Sequence, residues 1–137
     1  MRPAPWFAFM AVLFCGDAQA GNGAGLLPAC PVPKGYASIT HREQLPAPLQ
    51  KIFANAAMPG EYFNASDAGI PGTGLLFIWN RGSRWIIADE HGGIATSITE
   101  EVLEISADGR SARDVTPPYN AERIGVPCPL ATLFANS

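Results

Sequence analysis

The sequence predicts an α+β domain: one main helix on one face of a small antiparallel sheet of about four strands. A short C-terminal helix and a disulfide linking the termini complete the expected architecture. Three observations point to it. Leu49, Ile52, Phe53 and Ala56 fall at i, i+3, i+4 and i+7, which makes one apolar helical stripe. Leu75–Trp79 and Arg84–Ala88 are short apolar runs of strand composition around a turn at Asn80-Arg81-Gly82-Ser83. Cys30 and Cys128 lie near the two ends, each between prolines.

In chain order, residues 1–20 read as a secretory signal. Arg2 supplies a positive start, Ala4 to Cys15 form an apolar run, and Ala18-Gln19-Ala20 forms a small-residue cleavage end. The run is too short for a membrane span, which takes about 20 apolar residues. Cleavage after Ala20 makes the product exported, periplasmic or secreted. It also removes Cys15, leaving Cys30 and Cys128 as a matched pair for an oxidising compartment. A bridge between them closes a long loop, credited with about 4–5 kcal/mol by chain entropy.

Residues 21–33 read as a flexible Gly/Pro-rich arm, and residues 34–137 as a single domain. Pro48 suits a first helical turn and Pro59-Gly60 a stop, so the helix is expected over residues 48–58. Residues 64–74 are rich in turn formers and form the longest internal loop. The two apolar runs then make an antiparallel hairpin, central in the sheet because both of its faces are apolar.

Residues 94–106 carry two signals. Ser97-x-x-Glu100 is a possible capping box, but Ile94, Thr96, Ile98, Thr99, Val102 and Ile105 are β-branched. Strand is the favoured reading, with Asp108-Gly109 turning it back onto Ser111–Val115. Pro129–Phe134 reads as the short C-terminal helix.

The chain has 9 basic and 12 acidic side chains and a net charge of −3. Without a basic face it offers nothing to nucleic acid. No sequence pattern assigns a cofactor, a metal or a catalytic set. The densest ionisable cluster is Asp89-Glu90-His91 at the end of a core strand. Asp89 and His91 share a strand face there, while Glu90 points to the other. His41 is the second histidine, without metal-ligand spacing to the first. No serine lies in G-x-S-x-G, so nucleophilic catalysis has no support in the sequence. Gly69–Gly74 lacks the Lys-Ser/Thr ending of a phosphate loop, and Asn64-Ala65-Ser66 fits a glycosylation sequon.

The function read from these features is an exported, non-enzymatic binding or inhibitor-like domain with a protein partner. Its surface would comprise Trp79, Arg81, Arg84, Asp89, Glu90 and His91 on the hairpin, with Asn64 and Asp67 on the loop. Trp and Arg are favoured at such surfaces. The alternative is a small metal-dependent or acid–base hydrolase centred on His91, Asp89 and Glu90, with His41 as a further ligand. A third reading is an accessory subunit of an envelope assembly.

Overall fold

The structure is a computed structural model that describes residues 30–92, 97–118 and 134–136. The signal segment therefore lies outside the described residues. The predicted α+β balance is corrected: the molecule is mostly antiparallel sheet, with six strands and no helix of seven or more residues among those described.

The strands are β1 (Ala37–Ser38), β2 (Ala56–Ala57), β3 (Thr73–Arg81), β4 (Arg84–His91), β5 (Ser97–Ile105) and β6 (Ala112–Asp114). Their order is β1-β3-β4-β5-β6, and β2 pairs separately with β3. All pairings are antiparallel except β2–β3, which is parallel.

Local chemistry sets the two hairpin turns. Only Gly82 and Ser83 separate β3 from β4. Gly82 has φ 61° and no non-glycine residue among those described has positive φ, which fits a type II′ turn with glycine first. Asn80 Nδ2 spans the turn by donating to Gly82 O at 2.9 Å and Arg84 O at 3.2 Å. Between β5 and β6, Gly109 takes φ 71°, and Asp108 Oδ1 accepts from Ser106 Oγ (2.6 Å) and Arg110 N (3.1 Å).

The main helix is shorter than its stripe predicts. Helix α1 covers Ala47–Ile52, and Phe53 leaves helical geometry at φ −102°, ψ 26°. Arg42, in a 3-10 turn at Arg42–Gln44, holds the reversal that follows. Its guanidinium donates to Phe53 O at 2.9 Å and to Ala56 O. Leu49 and Phe53 are buried, whereas Ile52 is 54% exposed. Ala56 is buried because β2 carries it into the sheet, not because the helix continues.

Each face of the sheet has its own apolar cluster. Leu49, Phe53, Leu75, Ile78, Trp85, Ile87 and Leu103 pack on the helix side. Tyr36, Trp79, Ile86, Val102, Phe134 and Ala135 pack on the other, with Cys30 against them. Alternation along β3, β4 and β5 sends neighbouring side chains to opposite clusters. Both described ends of the chain thus meet on the second face, where Arg84 also donates to Phe134 O at 3.1 Å.

Two further expectations meet the boundary of the described residues. Phe134–Asn136 are helical, but 129–133 lie outside. No disulfide pair is found among the described residues: Cys30 is disulfide-bonded, and Cys128 falls outside them.

Candidate functional site

The register of β3 against β4 builds the site. Thr73 lies directly opposite His91, and Asp89 is two residues back on the same face of β4. Thr73 Oγ1 sits 2.9 Å from His91 Nδ1, and His91 Nε2 sits 3.0 Å from Asp89 Oδ2. A carboxylate can only accept, so Nε2 carries the proton toward Asp89, and in the neutral imidazole Nδ1 is then the acceptor for the Thr73 hydroxyl. The Asp89 side chain is 10% exposed and that of His91 is 53% exposed. The three groups therefore form a line from the interior to the surface on two paired strands.

Four carboxyls cluster at this end of β4 and β5, two on each face. On the face of Asp89, burial pushes Glu101 up to about 7, with repulsion from Asp89 and Asp114 adding to it. Burial also raises Asp89, although its partner His91 pulls the other way. On the opposite face burial raises Glu90, and takes Glu100 to about 7. Desolvation is the common cause: burial takes water from the ionised form of each carboxyl and so favours the protonated one.

Residues 61–72 run beside Thr73 and His91. The Phe63 ring packs on Gly74 so closely that a methyl group there would overlap it, and it also reaches Gly92. The loop is braced internally. Asn64 N donates to Pro71 O at 2.8 Å, and Ser66 N donates to Asn64 Oδ1 at 3.0 Å. Asp67 Oδ2 accepts from Asn64 Nδ2 (3.0 Å) and from Tyr62 Oη (3.1 Å). Gly92 N donates to Gly72 O at 2.9 Å and ties the loop to the end of β4. Tyr62, 55% exposed, and Ile70, 38% exposed, project from it.

The residues expected to form one surface are divided. Trp79, Asp89 and Glu90 are buried and present no contact surface. Trp79 stacks on Phe77 at 4.3 Å within the second core cluster. Arg81 lies over the Tyr36 ring at 4.6 Å, and Arg84 reaches Phe134 O. Both arginines belong to the turn end of the hairpin, whereas His91, Asn64 and Asp67 belong to the other end. A surface hollow of about 740 Å³ at the turn end is lined by Pro46, Ser83, Trp85, Glu104 and Arg113, far along the strands from His91.

His41 lies before the 3-10 turn, where its backbone N–H donates to Gln44 Oε1 at 3.0 Å. Among the described residues, no group of three or more His, Cys, Asp or Glu side chains is placed to hold a metal ion. Thr73 is the member of the site that sequence reasoning misses. No local motif marks it, because only the strand register brings it to His91.

Comparison with family models, curated proteins and solved structures gives no match. Function therefore has to be argued from the site itself. Among the described residues, no helix is long and apolar enough to cross a membrane.

Proposed function

We propose that this chain is an exported binding or inhibitor-like domain whose recognition surface is the loop at residues 61–72, with His91 at its rim. The observation that carries this reading is a braced loop with exposed apolar tips. Of the four large hydrophobic residues exposed among those described, Tyr62 and Ile70 belong to this loop. Loops held in one conformation lose little entropy on binding, and Tyr is enriched among the residues that anchor protein interfaces. Export rests on the signal pattern of residues 1–20. The accessory-subunit reading has less support, since Trp79, Ile86 and Val102 on the second sheet face are already buried.

The test is site-specific photo-crosslinking in cells that produce the protein. A crosslinker at Tyr62 or Ile70 is expected to capture one partner, while one at Arg110 captures none. Asp67→Ala, which removes the two braces from Tyr62 and Asn64, is expected to weaken capture about tenfold, on the order of 1.4 kcal/mol. Absence of any specific adduct from both loop positions defeats the proposal.

A further inference from the structure

We infer that Thr73 is a nucleophile, activated by His91 and positioned for acyl transfer from an ester. The inference uses atoms of the sheet rather than the tips of the loop, so it stands apart from the binding reading. A hydroxyl becomes reactive when a base accepts its proton and a third group holds that base in place. All three are joined here: Thr73 Oγ1 to His91 Nδ1 at 2.9 Å, and His91 Nε2 to Asp89 Oδ2 at 3.0 Å. Such an arrangement is recognised by geometry and roles, not by position in the sequence.

Three further features favour it. The groups sit on paired strands, which hold them more precisely than a loop does. Asp89 is almost fully buried, so it keeps its bond to His91 with little competition from water. His91 is half exposed, so a small ester can reach it from solvent. The fitting substrate class is a small ester, open to the site from solvent.

In the step proposed, Thr73 Oγ1 bonds to the acyl carbon and the ester C–O bond breaks. The threonine proton passes to His91 Nδ1 and from there to the departing oxygen. Water then attacks the acyl-threonine, giving its proton to His91, and the acid leaves as Thr73 regains its hydrogen. Thr73 is the nucleophile and His91 the base, while Asp89 is a positioning residue.

The full chain, treated with p-nitrophenyl acetate and mapped by peptide mass spectrometry, tests this. Acetylation is expected at Thr73 and not at Thr40 or Thr99, with a burst of about one p-nitrophenolate per chain. Thr73→Val and His91→Gln should abolish both, and Thr73→Ser should keep them. Asp89→Asn should slow acylation by about tenfold or more and alter its pH profile. Circular dichroism establishes that each variant folds, and Thr73→Val decides the matter if Asp89→Asn does not fold. Thr73 labelling no greater than that of Thr40 overturns the inference, as does labelling that survives His91→Gln.

Discussion

At the scale of single residues, the carboxyls at the ends of β4 and β5 give the protein an unusual pH response. Glu100 and Glu101, held up to about 7 by burial from an ordinary 4.5, bind protons more tightly folded than unfolded. Their stabilising effect is complete below 4.5 and is lost as the pH rises through about 7. Asp89 and Glu90 act in the same sense. Exposed Asp108 and Asp114 act in the opposite sense: hydrogen bonds hold them below 3.8, and their effect is lost as the pH falls below that value. The denaturant midpoint is therefore expected to drop between pH 5 and pH 8. Glu100→Gln and Glu101→Gln should each flatten that drop by on the order of 1–3 kcal/mol. A midpoint that rises over this range would refute the account. The pairing of Asp89 with His91 was legible, because residues two apart on a strand share a face. The hydroxyl of Thr73 was not, because its partner is eighteen positions away and only the register joins them.

At the scale of elements, the hairpin of β3 and β4 and the strand character of β5 follow directly from composition and turn chemistry. The helix does not. Its apolar stripe has the right spacing, but the pattern combines two different elements: Leu49 and Phe53 are buried by α1 and its end, and Ala56 by β2. Periodicity cannot tell a helix that continues from one that stops and feeds a strand. What stops it here is a distant donor, the Arg42 guanidinium on Phe53 O and Ala56 O, together with the parallel pairing of β2 to β3. The two stripe residues should therefore respond differently to truncation. Leu49→Ala is expected to cost about 2–5 kcal/mol, since the side chain is fully buried. Ile52→Ala should stay within about 0.5 kcal/mol, because half of its surface already meets water. Equal losses in chemical denaturation would mean that the longer helix forms after all.

At the scale of the whole molecule, two apolar clusters sandwich one sheet, so β3 and β4 are apolar on both faces and central, as their composition suggests. The proposal of export makes its own prediction: the mature protein, recovered outside the cytoplasm and sequenced from its N-terminus, should begin at Gly21. A product that still begins at Met1 would count against it. By itself, the sequence determined the core hairpin, the glycine turns at Gly82 and Gly109, and which residues of β4 share a face. These depend on neighbours in the chain, through turn geometry and the two-residue period of a strand. Only the tertiary structure decided how far the helix runs and that Trp79, Asp89 and Glu90 are buried. It also decided that the candidate surface splits between two ends of the sheet and that Thr73 meets His91. Those outcomes depend on strand register and on contacts between residues remote in sequence, which no local pattern encodes.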